Sequence, residues 1–395
     1  MEEVFAAAVI LSGVGLGNVW LWLAGIVMFV LLFAITLITI ERHRRHALSI
    51  QLTRAKENPL LNPNSGNGWE SEAVFNPAAY YDGSLVHLIY RALGQDGVSR
   101  FGYAWSNDGI HFERLPYPVF TPDAAMTTPA AKFRNPFTSP ARLEYDRVLY
   151  ASGGGWGGSE DPRMVSIQGR LHITFNIFNG WYSMRVGLLS IDEHDFKNRR
   201  WKWTFNHLSA PGRHKNWVLF PEKIDGRYAI FHNLFHEDPN QVQVAYADTI
   251  EVPDHLPPFQ SPDPHLLPNR QVAWHNRTRS AGPPPIKTPS GWLLLYQAMQ
   301  PKEHHRYKVG AMLLDLNDPT KVLYRSTRPI LEPDAPYEND WKPGIIYASG
   351  AIVKDGTLFV YYGGGDKTVN VATANLDTFI EQLTHGEHAV LTNAV

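Results

Sequence analysis

The chain has 395 residues, enough for a large core, and its 36 Lys and Arg against 38 Asp and Glu leave a formal net charge of −2, which gives no general reason to expect nucleic acid as a partner. It contains no cysteine, which excludes disulfides, thiolate metal sites and a cysteine nucleophile together. The 12 Trp, 17 Tyr and 19 Phe, set among 31 Gly and 29 Pro, point to strands and turns, and aromatic rings beside polar groups are also what sugar-binding clefts use.

The first feature in chain order is apolar. From Trp20 to Ile40 the chain runs without a charge for about the ~20 residues a helix needs to cross the hydrocarbon core. Arg42, Arg44 and Arg45 follow it. A cleaved signal peptide would begin basic and stop at a small-residue site, whereas this one begins Met1-Glu2-Glu3 and runs on. Residues 1–47 are therefore predicted to be an uncleaved, single-pass membrane anchor with its span at about 20–40. The basic flank would place the large domain on the cytoplasmic side, with Trp20 and Trp22 at the opposite interface. The weaker apolar stretch Phe5–Val19 could pair with the main span, and Gly13, Gly15 and Gly17 inside it read as helix packing. Residues 48–67 read as a polar linker.

From 68 to 395 a strand signature recurs at a period near sixty. A polar or proline-bearing opening leads to a glycine turn and then to an alternating apolar strand that ends in aromatics. The five copies are NPAAYYDGSLVHLIYRA from Asn76, DPRMVSIQGRLHITFN from Asp161, FPEKIDGRYAIFHN from Phe220, PPIKTPSGWLLLYQA from Pro284 and SGAIVKDGTLFVYYGG from Ser349. Their turn glycines are Gly83, Gly169, Gly226, Gly291 and Gly356. Radial repetition covers the apolar faces of such small sheets, so the predicted fold class is all-β, a five-bladed β-propeller preceded by an N-terminal transmembrane helix. The openings of the repeats would converge on a central well, bringing Asn76, Asp161, Phe220 and Ser349 to one pocket. The longer gap at Thr121–Trp156 would form a rim loop.

Seven segments, NPAAYYDGSLVHLIYRA, SRFGYAWSNDGIHFER, SEDPRM, NWVLFPEKIDGRY, GPPPIKTPSGWLLLYQ, VGAMLLDLNDPTKVLYRS and FVYYGGGD, resemble in order and spacing the motifs of glycoside hydrolase family 130, the β-mannoside phosphorylases and β-1,2-mannosidases. The resemblance covers about Asn58 to Leu383. It implies an inverting enzyme that works without a metal or organic cofactor, with Asp161 of the E-D-P-R motif as the proton donor, acting through a hydroxyl of the bound mannosyl unit. It implies a mannosyl unit held by Asn76, Arg91, Asp108 and Asp366, although Asp108 in S-N-D-G also suits a turn and Asp366 follows three glycines. Trp156, Trp181 and Tyr182 could stack on a sugar face or simply pack. The histidines show no metal-binding spacing, and His304-His305 reads as an exposed turn.

An inverting reaction needs an acid on one face of the bond and a nucleophile on the other. If phosphate attacks, it is a co-substrate and needs only cations and donors to hold it. Arg185 and Lys215 occupy positions where the phosphorylases carry cations. Two positions depart from the pattern: Phe231-His232-Asn233 replaces LhRP, and Tyr296-Gln297-Ala298 replaces YHG, which leaves Gln297 as a neutral donor. If water attacks, Glu222 is the candidate base. Phosphorolysis of a β-mannoside or manno-oligosaccharide to mannose 1-phosphate is the favoured reading. Hydrolysis and mannosyl transfer are the alternatives, and a non-catalytic glycan-binding propeller is the reading from another class.

Overall fold

The computed structural model describes residues 23–38, 50–122, 153–178, 184–209, 214–233, 242–250, 274–275, 277–300, 303 and 305–385. Two compact units are distinguished, Met1–Ser49 and Ile50–Val395. In the first, a helix runs over residues 23–38. No helix among the described residues is long and apolar enough to cross a membrane. The expected transmembrane helix, and with it the expected membrane localisation and cytoplasmic-side placement, are corrected on that finding. Trp20, Trp22, the three glycines at 13–17 and the arginines at 42–45 lie outside the described residues.

The second unit is built from consecutive antiparallel meanders. The chain enters through β1 (Thr53–Arg54). The first meander is β2 (Ala73–Tyr81), β3 (Val86–Leu93), β4 (Val98–Ser106) and β5 (Glu113–Arg114). The second is β6 (Gly157–Ile167), β7 (Arg170–Phe178), β8 (Arg185–Asp192) and β9 (Thr204–His207). The third is β10 (Val218–Leu219), β11 (Tyr228–Asn233) and β12 (Gln243–Ala247). The fourth comprises β13 (Arg277–Ala281), β14 (Ile286–Thr288), β15 (Gly291–Met299), β16 (Lys308–Leu314) and β17 (Val322–Arg325). The fifth is β18 (Ile346–Lys354), β19 (Thr357–Gly364) and β20 (Thr368–Asn375). A short parallel pairing of Val98 and Ser99 with Gly157 and Gly158 joins the first two meanders into one sheet.

Each meander is too small to bury its own faces, and five apolar clusters lie between neighbours. Ile89 and Phe101 of the first pack on Leu171 and Phe175 of the second. Val165 and Leu188 then meet Trp217 and Ile230 of the third. Phe220 and Phe231 meet Trp292 and Leu294 of the fourth, and Leu295 and Leu313 meet Val360 and Tyr362 of the fifth. The ring closes where Phe359 and Tyr361 of the fifth pack on Leu88 and Tyr90 of the first. Burying one such side chain contributes about 1.5–3 kcal/mol, so the interfaces, not the isolated sheets, hold the ring.

From Ile50 on, the segment read as a linker belongs to this unit. Thr53 and Arg54 pair with Thr373 and Ala372 of β20, and Leu52 and Leu61 are buried. The start of the unit thus adds the outer strand to its last sheet. Arg54 clamps the junction through two 2.8 Å bonds to the fully buried Glu338 carboxylate, which also accepts from the Tyr362 hydroxyl. Gly169, Gly226 and Gly356 each close a two-residue hairpin turn with φ between 74° and 79°, and Gly83 lies in the turn after β2 at 92°, whereas Gly291, at 142°, is the first residue of β15 and pairs with Thr288.

Candidate active site

The first strands of the sheets do not run regularly through the centre. In β2 the register against β3 slips between Phe75 and Ala78, so that Asn76 and Pro77 form a bulge. In β6 it slips between Glu160 and Arg163, so that Asp161 and Pro162 do the same. The slip between Thr278 and Ser280 releases Arg279 in β13, and the one between Ala348 and Gly350 releases Ser349 in β18. A bulge re-aims a side chain that regular pleating would point at a neighbouring sheet. Proline fits the bulge because the ladder there has no acceptor for the N–H that proline lacks.

Asn76 and Asp161 take φ of 46° and 49°, a left-handed conformation that short polar side chains tolerate better than others and that is unusual before proline. Asp366 does likewise at 53°. Strain of this kind costs about 1–3 kcal/mol per residue and is held only where the surroundings over-determine it. Here they do. The sequence E-D-P-R, with its charge beside a donor-less residue, is a bulge that presents one carboxylate to the axis.

Asn76, Arg91, Asp161, Lys215 and Asp366 line a single cavity of about 180 Å³ together with Gly153, Asn216, Arg279, Tyr307, Lys342, Ile345 and Tyr347. Asp161 sits at its wall. Its Oδ1 accepts from Asn76 Nδ2 at 2.8 Å and from the Arg91 guanidinium at 3.2 Å, and its Oδ2 accepts from Asn176 Nδ2 at 3.4 Å. Arg163 donates to the Asp161 carbonyl at 2.7 Å, to Gly282 O at 3.1 Å and to the Tyr347 hydroxyl at 2.8 Å, tying the motif to the fourth and fifth sheets. Burial pushes the Asp161 carboxyl up, but Arg91, Lys215, Arg163 and the Asn76 hydrogen bond outweigh it and bring it down to about 2. Burial opposes the charge on Arg91 too, and Glu160, Asp161 and Asp366 more than offset it.

Lys342 donates to Asp366 at 3.0 Å. Arg279 lies over the Tyr307 ring at 5.5 Å, and among the described residues it has no carboxylate partner. The cavity wall therefore carries four cations, Arg91, Lys215, Arg279 and Lys342, against two carboxylates, Asp161 and Asp366. Among the described residues no group of three or more His, Asp and Glu is placed to hold a metal ion.

Other residues named from the sequence stand elsewhere. Asp108 accepts from the backbone of Ile110 and His111 at 2.9 and 2.8 Å and pairs with the His111 ring at 2.7 Å, which makes it the cap of an exposed turn outside the cavity. Gln297 is fully buried at a sheet junction, where it accepts from Ser280 Oγ at 2.9 Å and donates to Ala348 O. Glu222 is 45% exposed and pairs with Lys287 at 2.6 Å. Arg185 is half-buried at the start of β8 and does not line the cavity. Trp156 donates to Asp96 O at 2.7 Å. His232 is half-buried and brought down to about 4 by burial and the neighbouring His214. Phe220 is core, and Ser349 donates to Pro77 O at 3.1 Å. His305 is exposed, and Trp181, Tyr182 and His304 lie outside the described residues, as does most of the expected rim loop.

Sequence reasoning missed Arg279, Lys342, Tyr307, Tyr347 and the Asn176–Asn216 pair. Arg279 stands before the repeat opening read at Pro284, and only the slip between Thr278 and Ser280 shows that it is released from the ladder. The glycines before Asp366 also have a role that a bend does not explain. A Cβ on Gly363 would fall 2.0 Å from Asn76 Oδ1 and 3.0 Å from its backbone N. Gly363→Ala is therefore expected to displace Asn76 from Asp161 and lower kcat/KM by about tenfold or more with little loss of secondary structure. Initial rates beside a far-UV spectrum check this, and wild-type rates in the alanine variant would refute it.

A ring of β-sheets with one bulge-mounted carboxylate in a cation-lined, sugar-sized hollow is the arrangement of a carbohydrate-active enzyme. Residues 148–385 match the family model of glycoside hydrolase 130, described as beta-1,4-mannooligosaccharide phosphorylase. The chain is 33% identical over 331 residues to the 1,2-beta-oligomannan phosphorylase of a Thermoanaerobacter species, covering 82% of this chain and 97% of that one. It is 32% identical to the beta-1,2-mannobiose phosphorylase of the same organism, over 82% of this chain and 96% of the other. Among solved structures, one of a family of mannoside phosphorylases that contains glycoside hydrolases targeting beta-1,2 mannosidic linkages in Candida mannan superposes with a TM-score of 0.62 at 25% identity, over 82% of this chain and 94% of that one. The beta-1,2-mannobiose phosphorylase of Listeria innocua shares the fold, with a TM-score of 0.61 at 24% identity, over 84% and 99% of the two chains. The chain belongs to glycoside hydrolase family 130, and it is an enzyme of the glycosidase and glycoside phosphorylase kind.

Proposed function

We propose that this enzyme is an inverting β-mannoside phosphorylase that converts β-1,2-linked manno-oligosaccharides and inorganic phosphate to α-mannose 1-phosphate and a shortened sugar. The observation that carries the reading is the charge of the cavity: its surplus of two positive charges suits a phosphate dianion and has no use for water. The β-1,2 linkage rests on the two relatives that are matched over nearly their whole length.

In this reading Asn76 and Asp366 hold hydroxyls of the mannosyl unit, and Lys215 and Arg279 hold phosphate, with Arg279 reaching the cavity where Gln297, engaged at the sheet junction, does not. The phosphate oxygen forms a bond to the anomeric carbon from one face as the glycosidic bond breaks on the other. The leaving oxygen takes its proton from Asp161, directly or through a sugar hydroxyl. Phosphate does more than attack. Its negative charge offsets the cations that keep Asp161 ionised, and so moves that carboxyl back towards the protonated form a general acid needs. Hydrolysis would need a second carboxylate as base: the candidate, Glu222, stands outside the cavity in an ion pair with Lys287, and the cavity's other carboxylate, Asp366, is bound to Lys342.

Arg279→Ala tests the reading. A hydrogen bond to a charged group contributes about 1.5–3 kcal/mol, so KM for phosphate is expected to rise roughly 10–100-fold while KM for β-1,2-mannobiose stays within about threefold. An unchanged KM for phosphate, or full turnover in its absence, would contradict it.

A further inference from the structure

We propose that Glu160 is a positioning residue of this reaction: its buried carboxylate holds Arg91 and Lys215 at the cavity wall and draws on the same cations as Asp161, so that the acid can carry a proton once phosphate is bound. The inference rests on the reading of Asp161 as the general acid.

Glu160 precedes Asp161 on β6, has no exposed surface and does not line the cavity, so it cannot touch the substrate. Its Oε1 accepts from Arg91 at 3.0 Å and its Oε2 from Lys215 at 3.4 Å. Arg91 is thus shared, bonding Glu160 with one terminal nitrogen and Asp161 with the other. A buried carboxylate between two cations is costly to place unless both are engaged, and here both are also wall residues of the site.

The groups that face Asp161 show why this acid matters. Arg91 comes from β3, Lys215 from the segment before β10 and Arg163 from its own strand, and all three hold it ionised. Arg279, Lys342, Tyr307 and Tyr347 border the same hollow. Among the described carboxylates around it, Asp366 is bound to Lys342 at 3.0 Å and also acts on Arg91 through its charge, whereas Glu160 engages both Arg91 and Lys215, two of the cations that act on Asp161. Without the Glu160 charge, the field of Arg91 and Lys215 at Asp161 would no longer be offset by a neighbouring anion and would hold its proton off.

Glu160→Gln keeps the shape and removes the charge. A phosphorylase that needs a protonated acid loses rate as pH rises through the acid's pKa in the complex, and that alkaline limb is the readout. In Glu160→Gln the limb is expected to move to lower pH by about one unit or more, with kcat at neutral pH down about tenfold or more and KM for phosphate unchanged or lower. A purely structural role would raise KM and leave the limb in place. Glu160→Asp retains the charge with the least disturbance of folding, and its limb is expected to stay at the wild-type position. A limb that does not move in Glu160→Gln, or that moves as far in Glu160→Asp, would overturn the proposal. Wild-type turnover that ignores phosphate would instead sink the phosphorolysis reading, and the limb comparison would remain readable with water as nucleophile.

Discussion

Asp161→Asn is expected to lower kcat for β-1,2-mannobiose by about 10²–10⁴-fold, the range a positioned general acid contributes, with KM within a few-fold of wild type. Asparagine is nearly isosteric and can still accept from Asn76 and Arg91, and Arg91 keeps its bond to Glu160, so the fold is expected to survive. An aryl β-mannoside whose leaving group departs without a proton separates acid catalysis from damage. The variant is expected to approach the wild-type rate on that substrate and not on the disaccharide. A loss of equal size on both substrates would assign Asp161 to binding or structure.

Arg91→Met is expected to cost about 3–5 kcal/mol of stability and to abolish most activity. The Arg91 side chain is 1% exposed, lies 4.6 Å over the Phe75 ring, and bonds Glu160, Asp161 and Ser99. Methionine can replace the packing but leaves two buried carboxylates with one fewer cation, the situation in which breaking a buried ion pair is most destabilising. Lys215 still reaches Glu160, so the loss stays finite. Denaturant unfolding checks the size of the effect. A cost below about 1 kcal/mol would mean that the two acids are held by groups other than Arg91.

The parts of this enzyme that were legible in its sequence are those set by local chemistry. Strand alternation and the recurring glycines located the repeats: four of the five stand in the turns, where a hairpin needs φ values that glycine supplies, while Gly291 begins β15, and a half-buried strand needs period two. Asn76 and Asp161 were named because each opens a repeat and falls in a motif that resembles the family's, while the bulge before a proline that aims each of them inward is visible only in the strand register. Asp108 shows the limit. In Ser106-Asn107-Asp108-Gly109 the turn chemistry accounts for the aspartate completely, and nothing in the string says that the turn lies outside the cavity. Gln297 and Arg279 are a matched pair of misjudgements. The slip between Thr278 and Ser280 decides which residue of the fourth sheet turns inward, and bulge placement of that kind is settled by packing between sheets rather than by propensity. At the amino terminus, apolar composition over about twenty residues suggested a membrane span, and no helix among the described residues is long and apolar enough to be one.

The central claim is that a cation-lined hollow pairs one acid with phosphate as the nucleophile. Phosphorus and proton NMR of the first product formed from β-1,2-mannobiose in the presence of inorganic phosphate tests it most directly. The expected spectrum is that of mannose 1-phosphate in the α configuration, appearing in step with disaccharide loss and absent when phosphate is left out. Free mannose released at the same rate with and without phosphate, or a β-configured phosphate ester, would contradict it.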